Sequence, residues 1–401
     1  MAKKKLMLLG GIRYLLPVIK AAHEQGYYVI TADNVEGNIA HCFSDEYVNV
    51  SVLDKDAVLE VAREKNIDGI MSFGVDPGVV TAAYVQDKMG LPAFGPYESV
   101  EILQNKDKFR AFLAANGFNV PRAKSFASMD EALSDLGWYQ YPVIVKPTDS
   151  AGSKGVSRVD SEAQLKEALR YAFEYSFKGK IVVEEFIEKK GCSSDSDCFS
   201  YNGKMLVTSF SAQRFDVNAV NPYVPAAFSW PSTFTDAEEA YLKSEIQRLI
   251  SLLDMKTSIY NIETRVGVNG KPYIMEVSPR GGGNRLAEMF RYATGVDLIT
   301  ACTRAAVGDA IENIQEKPYD GCWAEIVLHS KKKGVFKELQ IDDSLPAKVV
   351  ERDLWVKEGD AVNGFEGANN AIGMLILSFK TNDDLLKSLE RQESWLKVIV
   401  E

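Results

Sequence analysis

The first hundred residues alternate short apolar runs with segments of helical periodicity. The apolar runs are "KLMLLG", "YYVITAD" and "IDGIMSFG", and amphipathic segments such as "VLEVAREKN" lie between them. Strands that alternate with helices pair in parallel through right-handed crossovers, which leaves helices on both faces of the sheet. The pattern therefore predicts a doubly wound α/β domain over residues 1–100.

Beyond residue 100 the pattern changes three times. A helix over "SVEILQNKDKFRAFLAANGF" is expected to end near Asn116-Gly117, because glycine commonly follows a helix C-terminus. The strands "YPVIVKP" and "KIVVEEFI" then flank a helical pattern, and short strands such as "WAEIVLHS" dominate the last part of the chain. The predicted segments are a linker helix with a small α+β lobe over 101–197, a larger mixed lobe over 198–314 and a β-rich C-terminal cap over 315–401.

The segment "IYNIETRVGVNGKPYIMEVSPRGGGN" carries two acidic residues on either side of Asn269-Gly270. Asn-Gly is a strong signal for a two-residue hairpin loop in which both loop positions adopt a positive φ. With these two residues as the loop, Glu263 lies directly opposite Glu276. A single turn signal thus predicts that two carboxylates face each other.

Alternation along the two strands supports this register, because a slip of one residue would exchange the faces of the hairpin. The predicted apolar face carries Tyr260, Ile262, Thr264, Val266, Tyr273, Met275 and Val277, and the polar face carries Asn261, Glu263, Arg265, Glu276 and Ser278. Pro272 falls at a non-hydrogen-bonded position, where a missing N–H group is tolerated.

Like charges that face each other destabilise a sheet. A divalent cation would reverse the sign of that interaction, and Mg²⁺ accepts carboxylates together with water and phosphate oxygens. Alternatively, Arg265 and other basic residues neutralise both glutamates on a solvated face. The hairpin alone leaves both interpretations open.

Two motifs upstream of the hairpin suit a nucleotide. "VIVKPTDSAGSKGV" places Lys146 at the end of a strand, before a loop whose Gly152, Ser153 and Gly155 can present backbone N–H groups to phosphate. "IVVEEFI" supplies a strand whose backbone can pair with an adenine edge, with Glu184 or Glu185 near the exocyclic amine. Taken singly, each motif is equally compatible with an ordinary loop or strand end.

Gly10, Gly11 and Asp33 invite a dinucleotide-binding interpretation, but "GGIRYL" lacks the spaced third glycine of that fingerprint. We therefore predict only a tight strand-to-helix turn there. The histidines are interpreted as structural; they are His23, His41 and His329.

Composition narrows the function classes. A net charge of -10 argues against a nucleic-acid surface, which requires clustered Lys and Arg, although a few local lysines suffice for a small anion. Five cysteines without metal-ligand spacing predict a reducing cytoplasm. Arg13 and Lys20 interrupt the apolar N-terminal run, so we predict neither a signal peptide nor a membrane span.

The order of the motifs carries more information than any one of them. A helix lysine, a strand lysine, a glycine loop, a Glu-Glu strand, paired glutamates and a Pro-Arg-Gly run follow one another, and together they resemble the ATP-grasp superfamily over nearly the whole chain. The resemblance implies an α/β ATP-grasp fold, with an N-terminal preATP-grasp domain, two α+β lobes that clasp ATP and the C-terminal cap.

The resemblance also implies roles for particular residues. Lys108, with Lys106 as a close competitor, corresponds to the first phosphate-binding lysine, and the acid that contacts ribose falls on Ser193 or Asp195. The implied ATP contacts are Lys108, Lys146, Gly152, Ser153, Gly155, Glu184, Glu185, Ile187 and Ser193. The implied metal ligands are Glu263, Glu276, Ser278 and Asn261.

Catalytic roles are implied for Arg280, Lys146 and Arg265, and substrate contacts for Arg214, Arg280, Gly282 and Asn284. Tyr223 and Trp230 are candidates for the lining of the substrate pocket. Many ATP-grasp proteins have asparagine at the position of Ser278, and Asn261 lies opposite it in the predicted register. We therefore hypothesise that the amide has moved across the hairpin.

The implied reaction is the activation of a carboxylate as an acyl phosphate by Mg-ATP, followed by its transfer to an amine. The expected cofactors are ATP and Mg²⁺, with Mn²⁺ as a substitute, and the expected partners are a small carboxylate and an amine, with a homodimer as an option. Two alternatives stay open: bicarbonate activation, as in carbamoyl-phosphate synthase or a carboxylase, and a nucleotide sensor without catalysis.

Overall fold

The computed structural model describes residues 3–149, 154–312 and 314–401. The α-helices in these ranges are α1 (Leu16–Glu24), α2 (Lys55–Lys65), α3 (Pro77–Met89), α4 (Tyr97–Gln104), α5 (Lys106–Ala115), α6 (Met129–Ser134), α7 (Glu162–Glu174), α8 (Asp236–Leu252), α9 (Leu286–Thr294), α10 (Leu298–Ala306), α11 (Asn382–Glu390) and α12 (Gln392–Trp395). The strands are β1 (Lys5–Leu9), β2 (Tyr28–Asp33), β3 (Glu46–Asn49), β4 (Gly69–Ser72), β5 (Ala123–Phe126), β6 (Val143–Pro147), β7 (Ser157–Val159), β8 (Ile181–Glu185), β9 (Ser194–Tyr201), β10 (Lys204–Val207), β11 (Ala212–Phe215), β12 (Pro225–Trp230), β13 (Ser258–Val266), β14 (Pro272–Ser278), β15 (Cys322–His329), β16 (Gly334–Ile341), β17 (Ala347–Leu354), β18 (Ala361–Val362), β19 (Ala371–Phe379) and β20 (Leu396–Val400).

The N-terminal sheet has the order β3-β2-β1-β4, and its strands pair in parallel. Successive residues of β1 point to opposite faces: Leu8 packs in one core cluster with Val18 of α1, and Leu9 packs in another with Val79 of α3. Helices therefore cover both faces, which confirms the predicted doubly wound α/β architecture. Gly10 has a φ of 111° and accommodates the tight turn predicted after β1.

The predicted linker helix is two helices. Asn105 adopts an extended conformation between α4 and α5, so the expectation of one continuous helix is wrong. The Lys106 N–H group, at the start of α5, donates to the Thr148 carbonyl at 3.2 Å. This break positions Lys106 at the beginning of α5, beside the end of β6.

A small antiparallel sheet with the order β5-β8-β6-β7 packs against α6 and α7 around its own apolar core. A second sheet has the order β10-β9-β13-β14 and packs its apolar face, through Ile262 and Val277, against the core that contains α5 and α8. Strand β9 crosses the predicted boundary at 197/198, and the division of this part of the chain into a small and a large lobe stays a prediction.

The third large sheet has the order β11-β12-β15-β19-β17, and a smaller one pairs β16 with β18 and β20. Strand β15 pairs with β12 on one side and with β19 on the other. The β-rich C-terminal segment therefore completes a sheet that starts at β11. Within the described ranges, no helix is both long enough and apolar enough to cross a bilayer.

The β13–β14 hairpin confirms the predicted pairing of Glu263 with Glu276, but its turn differs from the prediction. Gly267 donates to the Lys271 carbonyl at 2.9 Å, which leaves a three-residue loop in which Gly270 has a φ of 74° and Asn269 has no positive φ. The predicted two-residue loop is wrong. A register shift between Glu263 and Thr264 offsets the extra loop residue and restores the pairing of the two glutamates.

The same shift changes which residues of β14 face the core. Thr264 pairs with Ile274, and Ile274 packs in the core with Ile262. Tyr273 pairs with Arg265 on the polar face. The assignment of Tyr273 and Met275 to the apolar face is therefore wrong. The bulge exchanges the two faces of β14 between the turn and Glu276.

Candidate functional site

The polar face of the hairpin continues onto the neighbouring strand β9. Glu263 lies between Glu276 on β14 and Asp195 on β9. Two residues earlier on β13, Asn261 lies between Ser278 on β14 and Asp197 on β9. The role of Asp197 was missed from the sequence, although the alternation in "SDSDCF" places Asp195 and Asp197 on one face of a strand.

The repulsion between the two glutamates is only partly relieved by nearby cations. Arg265 Nη2 lies 3.5 Å from Glu263 Oε1, and Lys106 Nζ lies 3.8 Å from Glu276 Oε2. The closer contacts of Arg265 are with Ser193 Oγ at 3.0 Å and with the Ile187 carbonyl at 3.2 Å. Burial and, to a smaller extent, Glu276 raise the pKa of Glu263, while Arg265 opposes this shift.

The donor set fits a hard divalent cation that keeps part of its water shell. Within the described ranges, no group of three or more His, Cys, Asp or Glu side chains is arranged as a metal site. Mg²⁺ is commonly held by one or two carboxylates together with water and substrate phosphates. Glu263 and Glu276 supply such a pair, and their mutual repulsion favours a cation between them.

Ser278 and Asn261 lie opposite each other, as predicted, but both side chains contact other protein groups. Ser278 Oγ accepts a hydrogen bond from Gln104 Nε2 and donates to Asp76 Oδ1, each at 2.9 Å. Asn261 Nδ2 donates to Asp195 Oδ1 at 2.7 Å. The structure therefore uses both residues to hold neighbouring side chains, and a metal role for either stays a prediction.

Arg280 forms a bidentate ion pair with Asp76, which follows β4 in the N-terminal domain. Its Nε and Nη2 atoms donate to the two carboxylate oxygens at 2.9 and 2.7 Å, and Nη1 donates to the Gly281 carbonyl at 3.0 Å. Burial alone would raise the pKa of Asp76, but the Arg280 guanidinium outweighs it and lowers that pKa. Asp76 was not identified from the sequence; its position at the carboxyl end of a parallel strand is where α/β proteins bind ligands.

Lys146 shares a buried carboxylate with Arg110. Lys146 Nζ donates to Glu184 Oε1, and Arg110 Nε donates to Glu184 Oε2 at 2.9 Å. Arg110 also donates to the carbonyl of Met275, the bulged residue of β14, at 2.8 Å. Two cations thus face one carboxylate, which leaves a surplus of positive charge beside the paired glutamates.

The pKa shifts follow from this arrangement. Burial opposes ionisation of Glu184, but Arg110 and Lys146 outweigh it and lower the pKa of Glu184 to about 2. Burial and the neighbouring cations lower the pKa of Lys146, although Glu184 opposes the shift. An anionic ligand beside Lys146 would therefore stabilise its charged form.

The lysines of α5 point in different directions. Lys106 faces Glu276, whereas Lys108 Nζ lies 3.0 Å from Glu101 Oε2 on α4 and its side chain is half exposed. The structure brings Lys106 to the carboxylate pair and does not bring Lys108 there. Lys106, rather than Lys108, has the geometry expected of a phosphate-binding lysine.

The other candidates for ATP contacts lie, in the sequence, on the segment after β6 or at and beyond the end of β8. Gly152 and Ser153 lie outside the described residues, and Gly155 has a φ of 71°. Glu185 is exposed and accepts a hydrogen bond from the Arg122 backbone N–H group at 3.2 Å, so Glu184 and Glu185 have different environments.

The predicted substrate residues fall into two groups. Gly282 N donates to Asp197 Oδ1 at 2.8 Å, and Asn284 accepts a hydrogen bond from the Tyr14 hydroxyl at 3.1 Å, so the loop after Arg280 connects the hairpin with the N-terminal domain. Arg214 lies on β11 and lines a separate cavity. Other candidates lie away from this loop: Trp230 is buried in the core, Tyr223 is exposed, and His23, His41 and His329 contact Asp45, Thr31 and Asp216.

The chain was compared with known proteins by sequence and by structure. Residues 105–314 match the family model described as "Carbamoyl-phosphate synthase L chain, ATP binding domain". The carbamoyl phosphate synthase arginine-specific large chain of Bacillus subtilis (strain 168) is 25% identical over 261 residues, which are 64% of this chain and 24% of that protein. The chain thus spans about a quarter of the length of this relative.

Solved structures match over the whole chain. An L-amino acid ligase from Bacillus licheniformis superposes with a TM-score of 0.83 at 21% identity, covering 100% of both chains. A phosphoribosylglycinamide synthetase from Anaerococcus prevotii gives a TM-score of 0.78 at 22% identity, also over 100% of both chains. An N5-carboxyaminoimidazole ribonucleotide synthetase from Thermotoga maritima gives 0.75 at 17% identity, covering 99% of this chain and 100% of that chain. The chain has the ATP-grasp fold and belongs to the carbamoyl-phosphate synthase L chain ATP-binding domain family.

Proposed function

We propose that this chain is an ATP-dependent ligase that converts a carboxylate into an acyl phosphate and joins it to an amine. The observation that carries the proposal is the pair Glu263 and Glu276, which face each other beside the cationic side chains of Lys106, Lys146 and Arg110. Membership of an ATP-binding family and a whole-chain likeness to an L-amino acid ligase support it.

The carboxylates of the site suit the magnesium ion of Mg-ATP, and its lysines suit the phosphates. Glu263 and Glu276 would hold Mg²⁺, which supplies charge neutralisation at the phosphate oxygens when bound. Lys146 and Lys106 provide cationic donors for the same phosphates, and both retain part of their side-chain surface for a ligand, at 12% and 19% exposure. Phosphoryl transfer needs this kind of positioning and electrostatic stabilisation and no protein nucleophile.

The reaction then has two steps. A carboxylate oxygen of the substrate bonds to the γ-phosphorus of ATP as the bond to ADP breaks, and an amine nitrogen next attacks the acyl carbon. Phosphate leaves with the bonding electron pair, and the amine releases a proton. In this proposal Arg280 acts through its charge and through the rigid position of its loop, because its Nε and Nη2 atoms bind Asp76.

Phosphate release in the presence of Mg-ATP, measured across a panel of carboxylic and amino acids with and without amines, tests the proposal. We expect turnover that depends on a carboxylate, and hydroxylamine should trap the activated acid as a hydroxamate. Tight ATP binding without turnover under any pairing would contradict the proposal and favour a nucleotide sensor.

A second candidate function is the activation of bicarbonate, and the sequence relative with a carbamoyl phosphate synthase name favours it. The same assay distinguishes the two functions. Bicarbonate that stimulates ADP release, while other carboxylates have no effect, would select this second function.

The two lysines of α5 give a direct test of the nucleotide position. We expect Lys106→Ala to raise the KM for ATP by roughly 10- to 100-fold, because a charge-assisted contact contributes about 1.5–3 kcal/mol. Lys108→Ala should change it by less than about twofold, since this exposed lysine binds Glu101. Steady-state kinetics with varied ATP compare the two variants, and a larger effect of Lys108→Ala would reverse the assignment.

A further inference from the structure

A second group of acidic residues is buried next to the loop that follows Arg280. Glu325, at the centre of β15, has no exposed surface, and neither of its carboxylate oxygens has a hydrogen-bond partner among the described residues. A buried carboxylate without a partner is costly unless a cation or hydrogen-bond donor joins it. Glu325 therefore requires an explanation that the protein's own described contacts do not supply.

The sheet register shows which way Glu325 points. It pairs with Phe228 on β12 and with Ile376 on β19. Those two residues share a core cluster with Leu286 of α9, so Glu325 projects toward the face that α9 covers. Besides burial, which has the largest effect, Glu288 of α9 raises the pKa of Glu325.

Asp197 belongs to the same group and has an unpartnered oxygen of its own. Its Oδ1 atom accepts hydrogen bonds from Gly282 N at 2.8 Å and from Asn261 Nδ2 at 3.3 Å. Its Oδ2 atom is buried and lacks a partner within the described parts of the chain. A Cβ atom on Gly282 would lie 2.9 Å from both Asp197 Oδ1 and Leu286 Cδ1, so Asp197 borders the same end of α9 toward which Glu325 projects.

The arginines nearest to this group are engaged by other carboxylates. Arg285 contacts Glu288 at 3.1 Å, Glu351 at 2.6 Å and Asp353 at 3.0 Å. Arg280 forms its bidentate pair with Asp76. Among the described residues, three oxygens of Glu325 and Asp197 therefore lack a hydrogen-bond partner, and no basic side chain forms an ion pair with either acid.

We propose that Glu325 and Asp197 bind the cationic amino group of a substrate, so that the ligase acts on an amino acid or on another molecule that carries a primary ammonium group. An ammonium group has three N–H donors, which equals the number of unpartnered oxygens, and its charge compensates the carboxylates. Asp197 pairs with Asn261, two residues along β13 from Glu263, so Asp197 lies roughly 7 Å along the sheet from the row that holds Glu263. This inference rests on the proposed function, because the acid to be activated or its amine acceptor would carry the ammonium.

The kinetic test compares compounds that differ only in the amino group. ADP release is measured with the twenty proteinogenic amino acids, with their N-acetyl derivatives and with the matching acids that lack the amino group. We expect the free amino acids alone to stimulate ADP release. For the best of them, Glu325→Gln and Asp197→Asn should each raise the KM roughly 10- to 100-fold and change the KM for ATP by less than about twofold.

Glu358→Gln, at an exposed position of the C-terminal segment, is the matched control and should leave both constants unchanged. Equal activity with acids that lack the amino group, or an unchanged amino-acid KM in both variants, would overturn the inference and leave the ligase proposal intact.

A binding test without nucleotide separates this inference from the proposed reaction. A mixture of the twenty amino acids should raise the Tm of the wild-type protein and have a smaller effect on Glu325→Gln and Asp197→Asn. A Tm shift without any turnover would support the binding site while the ligase proposal fails, and equal shifts in all three proteins would contradict the site.

Discussion

Replacement of Glu276 by glutamine is expected to lower kcat for ATP-dependent phosphate release by roughly 100- to 1,000-fold, the range found when one preorganised electrostatic contact is removed. Glutamine keeps the shape of the side chain and removes the charge that would hold Mg²⁺ opposite Glu263. Folding should not suffer, because the substitution also removes a like-charge contact across the hairpin. Activity and thermal stability therefore change in opposite directions, and kinetics together with a melting curve checks both.

Glu60→Gln on the exposed side of α2 is the matched control for this substitution and should change neither quantity. A Glu276→Gln variant that keeps full activity would show that the glutamate pair is not needed for the reaction. A variant that loses activity and stability together would instead assign Glu276 a structural role.

The largest effect on stability is expected at Glu184. Glu184→Ala leaves Lys146 and Arg110 buried without their shared carboxylate, and removal of one partner from a buried ion pair costs about 3–5 kcal/mol. Urea denaturation should show a loss of this size in the free energy of unfolding. The neighbouring Glu185→Ala is the control, because Glu185 is exposed and should contribute less than about 1 kcal/mol.

The pH dependence of the same variants gives an independent check. The pKa of Glu184 is lowered in the folded protein to about 2, so its contribution to stability is present above the unfolded pKa and is lost as the pH falls toward 2. The stability difference between wild type and Glu184→Ala should therefore shrink as the pH falls below about 4.5. A difference that stays constant through this range would contradict the ionised state of Glu184.

The central pair of the site could be predicted from the sequence because its signals are local. The Asn-Gly signal locates the hairpin turn, and the alternation along β13 places Glu263 on its polar face. The loop length could not be predicted, since the bulge near Met275 depends on contacts such as the hydrogen bond from Arg110 to its carbonyl. Two local errors, an extra loop residue and an unrecognised bulge, compensate each other at the glutamates.

Other parts of the site depend on contacts between distant segments. Arg280 and Asp76 are 204 positions apart, and no local pattern joins them. The choice between Lys106 and Lys108 depends on the break at Asn105, which sequence periodicity does not reveal because α4 and α5 are both amphipathic. Glu325 lies in an apolar run that predicts a buried strand, and the only unusual feature of that run is the acidic residue.

Binding of Mn²⁺, used as a paramagnetic substitute for Mg²⁺ and followed by electron paramagnetic resonance in the presence of ADP, tests the account most directly. We predict nucleotide-dependent Mn²⁺ binding to the wild-type protein that is strongly weakened in both Glu263→Gln and Glu276→Gln. Equal Mn²⁺ binding by all three proteins would contradict the assignment of the facing glutamates as the metal site.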